Sequence, residues 1–108
     1  MVRKRLENRR ENQTFTFILD GVKYFATVSY TAEGQLGEIF LDIGRGNNDL
    51  PGLVGTALDI MAKDLATLAS LALQHGVPLQ VIREALSQEL NGSMRGPLGK
   101  TLELLEPL

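Results

Sequence analysis

The sequence predicts an α+β fold: a three-stranded antiparallel β-meander packed on one long helix, followed by one or two short helices. Three observations predict it. Residues 13–43 alternate apolar and polar side chains with period two, broken by two glycine turns. Residues 51–75 then switch to helical periodicity. All the strand-like segments precede all the helical ones, which argues against a parallel α/β sheet.

The first strand alternates Phe15, Phe17 and Leu19 with Thr14, Thr16 and Ile18. Asp20-Gly21 supplies the two positive-φ positions of a tight hairpin turn. The second strand, from Val22 to about Tyr30, places Val22, Tyr24, Ala26, Val28 and Tyr30 on one face and Lys23, Phe25, Thr27 and Ser29 on the other. Glu33-Gly34 makes the next turn. A third strand over 37–43 carries Ile39, Leu41 and Ile43 on one face. One sheet face is therefore expected to be apolar and the other mixed.

The loop Gly44-Arg45-Gly46-Asn47-Asn48-Asp49 ends the sheet. Asn48 or Asp49 can cap the following helix, and Pro51 suits its first turn. That helix is expected from about Pro51 to His75, closed by Gly76 in the left-handed cap position, with Pro78 barring continuation. A second helix is expected over about 78–90, stopped by Asn91-Gly92, and a third from Pro97 to Leu105.

On a wheel of about 100° per residue, Leu53, Val54, Ala57, Leu58, Ile60, Met61, Leu65, Leu68, Leu71 and Ala72 cover a broad arc of the long helix. Ala62, Ala66, Ala69 and Leu73 fill much of the rest. Thr56, Asp59, Lys63, Thr67, Ser70 and Gln74 form a narrow polar strip. A helix that is apolar almost all round is normally buried on two sides. The bulky residues are the natural core face, so Leu58, Met61, Leu65 and Leu68 are expected to join Phe15, Phe17, Tyr24, Val28, Ile39 and Leu41 in the core. The alanine stripe would then face away from the sheet. It predicts a homodimer through Ala62, Ala66, Ala69 and Leu73, unless the segment 93–108 folds back over it. Asp64 sits at the edge of the bulky arc. It is a candidate ligand or partner contact, or a structural partner of Arg45 or Arg83.

The chain has 108 residues and a net charge of −2, enough for one domain with a modest core. The charge is unevenly spread. Residues 1–12 hold five basic against two acidic side chains, while the rest holds six basic against eleven acidic. The expected organisation is a flexible basic arm over 1–12, a folded body over 13–92 and a helical extension over 93–108. An arm without aromatic residues is a weak nucleic-acid signal, and an acidic body is a poor nucleic-acid surface. The absence of cysteine excludes disulfides, thiolate metal sites and cysteine nucleophiles, and fits a cytoplasmic protein. A lone histidine, His75, excludes multi-histidine metal sites. No apolar run is long enough to span a membrane, and the basic start precedes no signal-peptide core.

Chemistry is sparse. Gly44-Arg45-Gly46 before a helix start can cradle an anion, so Arg45, Asn47 and Asn48, with Asp64 and Arg83, are the ligand- or partner-binding candidates. The spacings of dinucleotide and P-loop motifs are absent. No serine lies in a nucleophile elbow, and no carboxylate spacing suits a metal loop. No nucleophile, base and oxyanion donor assemble. The expectation is a binding or assembly module without a catalytic residue, a cofactor or a bound transition metal.

Gly37-Glu38-Ile39-Phe40-Leu41, the glycine loop, and Ser70-Leu71-Ala72-Leu73-Gln74-His75-Gly76-Val77-Pro78-Leu79 resemble the TSCPD domain family. That domain occurs near the C-terminus of cobalamin-dependent ribonucleotide reductases and as short stand-alone proteins of bacteria and phages. Arg95-Gly96-Pro97-Leu98-Gly99 and Arg5-Leu6-Glu7-Asn8-Arg9-Arg10 look like the stand-alone branch, as does an aspartate at Asp64. The family takes its name from a cysteine-containing motif that this chain lacks, so no metal or thiol role carries over. The radical cysteine and the cobalamin site belong to a barrel domain absent from these residues. The resemblance implies a non-catalytic accessory or regulatory module that binds a protein partner or a nucleotide-like ligand. A trans-acting subunit of a ribonucleotide reductase and a phage-type protein inhibiting a host system are the alternatives.

Overall fold

The computed structural model describes residues 12–43 and 53–105. Arg45, Asn47, Asn48, Asp49, Pro51 and nearly all of the basic arm lie outside them. Three strands, β1 (Asn12–Leu19), β2 (Val22–Tyr30) and β3 (Leu36–Asp42), form an antiparallel sheet in the order β1-β2-β3. Three helices follow: α1 (Ala57–Gln74), α2 (Leu79–Ala85) and α3 (Pro97–Leu104). The predicted α+β class and its strand order hold.

The β1–β2 hairpin closes as its turn residues dictate. Asp20 and Gly21 take φ of 52° and 79°, so Leu19 faces Val22, Phe17 faces Tyr24 and Phe15 faces Ala26. Phe17 and Tyr24 stack with ring centroids 5.4 Å apart. Val22, Tyr24, Ala26, Val28, Ile39, Leu41 and Ile43 are buried on one sheet face. Lys23 lies over the Phe25 ring on the opposite, mixed face, where Phe40 and Ile18 are exposed. α3 contributes Leu98 and Leu102 to the same core, and its C-cap contributes Leu105.

Two helix boundaries differ from expectation. The long helix starts at Ala57 rather than near Pro51, because Gly55 takes φ of 81° and Thr56 becomes the N-cap. Thr56 Oγ1 accepts from the Asp59 amide, and the Asp59 carboxylate accepts from the Gly55 amide at 2.8 Å. The second helix ends at Ala85 rather than near residue 90. Asn91-Gly92 instead tips a small reversal, with Gln88 bridged to Met94 and the Glu89 amide bonded to Ser93 O. The C-terminus of α1 is as predicted. Gly76 takes φ of 92°, its amide bonds Leu73 O, and the Val77 amide bonds Ala72 O.

The largest correction concerns the rotation of α1. Ala62, Ala66 and Ala69 are buried inside the protomer and Leu73 is half-buried, so the stripe is a core seam, not a dimer surface. Leu58, Met61, Leu65 and Leu68 point outward, between 40% and 64% exposed. The reason lies in β3. It is an edge strand, and α1 runs along it closely enough to cover its free backbone groups. A buried N–H or C=O needs a partner. The polar strip supplies these partners, and only small residues fit between it and the strand.

Candidate ligand cleft and the helix–edge seam

Along the seam, Ser70 Oγ accepts from the Ile39 amide at 2.8 Å. The same oxygen lies 3.1 Å from Ile39 O and 2.8 Å from Ala66 O, to which its single proton can be donated. One turn further, Gln74 Nε2 donates to Gly37 O at 3.0 Å. At the other end, Asp59 is fully buried and Lys63 Nζ donates to it at 3.1 Å. The Gly55 amide, with help from Lys63 and the Ile43 amide, holds the Asp59 carboxyl below the usual carboxylate range against the pull of burial. Its hydrogen bond to Asp59 in turn raises Lys63, whose ammonium also lies 3.8 Å from Asp42. Asp59, Ser70 and Gln74 therefore reach backbone groups of Ile43, Ile39 and Gly37 along the strand edge.

The predicted site residues do not converge. Asp64 is exposed on the outward side of α1 and has no ion pair among the described residues. It is not a carboxylate at the edge of the core, because the face beside it is solvent. Arg83 does not meet it: Nη2 donates to Leu102 O at 3.2 Å and ties α2 to the last turn of α3. His75 Nδ1 donates back to Leu71 O at 2.8 Å, a local helix-end bond. Arg45, Asn47 and Asn48 lie outside the described residues. Among the described residues, no group of three acidic or histidine side chains is placed to hold a metal.

A cleft of about 540 Å³ opens where the β2–β3 turn meets the α1–α2 joint. Gly34 and Gln35 form one lip, and Gly76, Val77 and Pro78 form the other. Tyr30, Leu36, Leu73 and Leu79 make the walls. Two local devices shape it. A register shift between Ser29 and Tyr30 re-aims the end of β2. The glycine cap at Gly76 turns the chain sharply, and Pro78 then starts α2. The volume is that of a ligand site. Among the described residues the lining is mostly apolar, carries no charged side chain, and offers the Gln35 amide as a polar group. Such a cleft can bind by shape and apolar contact, and it offers a phosphate no counter-charge. Sequence reasoning missed it because its walls come from two separate blocks. The available signal was the glycine at each lip, Gly34 and Gly76.

The family model of the TSCPD domain matches residues 2–103. Three curated relatives are vitamin B12-dependent ribonucleotide reductases. The protein of Agrobacterium fabrum is 33% identical over 79% of this chain and that of Bradyrhizobium diazoefficiens 31% over 79%, each across 6% of the reductase. The protein of Rhodopirellula baltica is 29% identical over 74% of the chain and 7% of its own length. The chain thus spans about 6–7% of the length of the curated relatives it matches. No solved structure matches.

Proposed function

Because the chain belongs to the TSCPD domain family, we propose that it is a non-catalytic accessory module of ribonucleotide reduction that docks a protein partner. The observation that carries this reading is the confinement of the similarity to 6–7% of each reductase. A segment that size is one small domain of a large enzyme, which supports an accessory role. The docking site is the cleft between Gln35 and Val77, whose uncharged, largely apolar lining suits a short apolar segment of another protein. Leu73, Gly76, Val77, Pro78 and Leu79 of the family-like block line one side of it, while Gln74 is spent on the β3 edge. A nucleoside is the second reading, since its base and sugar carry no charge and suit the same uncharged walls.

The test is association with a vitamin B12-dependent ribonucleotide reductase such as that of Agrobacterium fabrum. Binding by calorimetry, and a change in reductase turnover on adding the chain, are the expected results. Val77→Asp, at the lip, should abolish both without unfolding the domain. No association and no effect on turnover would overturn the protein-docking reading. Chemical-shift changes at Tyr30 and Val77 on titrating nucleosides would instead favour the second.

A further inference from the structure

The outward face of α1 is the feature that neither the fold nor the cleft uses. Leu58, Met61, Leu65, Leu68 and Ala72 are spaced alternately by three and four residues, the a/d pattern of a coiled-coil seam. Met61 and Leu68 are 62% and 64% exposed, and Leu58 and Leu65 are each 40% exposed. We infer that this seam binds a second copy of the chain, with the two α1 helices packed antiparallel about a two-fold axis beside residue 63.

Self-complementarity is the first argument. About an axis at that position, Leu58 meets Leu68 of the partner subunit and Met61 meets Leu65 of the partner subunit, so every large residue finds a large one. Area is the second. The bulky outward side chains, with Val54 and Ile60 at the flanks, present on the order of 600 Å², the upper end of what a monomer exposes in one patch. Two copies in full contact would bury at most about 1,200 Å², the lower bound of a stable interface. Charge is the third. Apart from Asp64, the arc around these residues carries no acidic or basic side chain before His75, so nothing in it selects a charged partner. The opposite face of the helix is fastened to β3 through Ser70 and Gln74, so the seam is presented on a rigid support.

The same axis brings the two Asp64 side chains near each other at the rim, which weakens the pair slightly. Sedimentation equilibrium of the full chain from roughly 1 to 200 µM should give a dimer with a micromolar dissociation constant. Leu65→Asp should weaken it about 100-fold or more, because a carboxylate would be buried unpaired. Leu68→Ser serves as a milder second variant. Both sites are solvent-exposed in the protomer, so the circular-dichroism spectrum should not change. Asp64→Asn should tighten the dimer by a few-fold, an effect specific to a symmetric partner. The natural chain has no cysteine, so orientation can be read by oxidation: mixed Met61→Cys and Leu65→Cys chains should cross-link with each other in preference to themselves. A wild type that stays monomeric at 200 µM overturns the inference, as does a dimer that persists undiminished in Leu65→Asp.

Discussion

The two faces of α1 invert the usual relation between hydrophobicity and burial. The face against the sheet holds Ala62, Ala66 and Ala69 with Asp59, Ser70 and Gln74, all buried. The face toward solvent holds Leu58, Met61, Leu65 and Leu68. A helix lying on the middle of a sheet turns its largest apolar residues inward, because that buries the most area. A helix lying along an edge strand must also satisfy that strand's outward amides and carbonyls. The cost of leaving one buried and unbonded, about 1–3 kcal/mol, rivals the gain from burying a leucine. Close approach by small residues, with a serine and a glutamine reaching the strand, is the arrangement that removes this cost.

Substitutions on the two faces should therefore behave oppositely. The largest effect is expected at Ala66→Leu, where no space remains between helix and strand. Overpacking should lower unfolding stability by about 1–3 kcal/mol or more, read as a shift in the urea midpoint. A neutral result would mean that the seam is looser than its burial implies. Ser70→Ala leaves the Ile39 amide and carbonyl covered but without their side-chain partner. A loss of about 1–2 kcal/mol is expected, together with faster amide exchange at Ile39.

Asp59 sharpens the comparison through pH. Its folded-state pKa is lowered, chiefly by the Gly55 amide. Its ionised form therefore stabilises the fold above the unfolded carboxyl value of about 3.9, and that stability disappears as pH falls through the lower folded value. Urea midpoints should drop steeply below about pH 4 in the wild type. In Asp59→Asn the protein should start weaker at neutral pH and lose less over the same interval. Equal acid sensitivity in the two proteins would remove Asp59 from the account. The smallest effect is expected at Leu65→Ala. It should change protomer stability at low concentration by only about 1 kcal/mol, since Leu65 is 40% exposed in the protomer. A loss of several kcal/mol there would show that Leu65 is a core residue after all.

The local elements were legible in the sequence, because each depends on residues a few positions apart. Asp20-Gly21 specifies its hairpin through positive φ. The alternation of Phe15, Phe17 and Leu19 with threonines specifies which face of β1 is buried. Gly76 and Pro78 specify where α1 stops and α2 begins. The family blocks were legible for the same reason. The start of α1 was misread because Pro51 and Asp49 are plausible start signals, yet Gly55 and the Thr56–Asp59 pair override them. The cleft was not legible, since Gln35 and Val77 come together only when β3 and α1 pack.

The rotation of α1 belongs to the tertiary structure. The sequence establishes that the helix has an apolar arc, a small-residue stripe and a polar strip, and hydrophobicity alone ranks the bulky arc as the inward one. Which of the three turns inward depends on whether the helix lies over the face of the sheet or along its edge strand, and although the meander already puts β3 at an edge, the placement of α1 beside it is a property of the assembled structure. Once β3 is the edge, its unpaired backbone groups outweigh side-chain size, and Asp59, Ser70 and Gln74 go inward with the alanines between them.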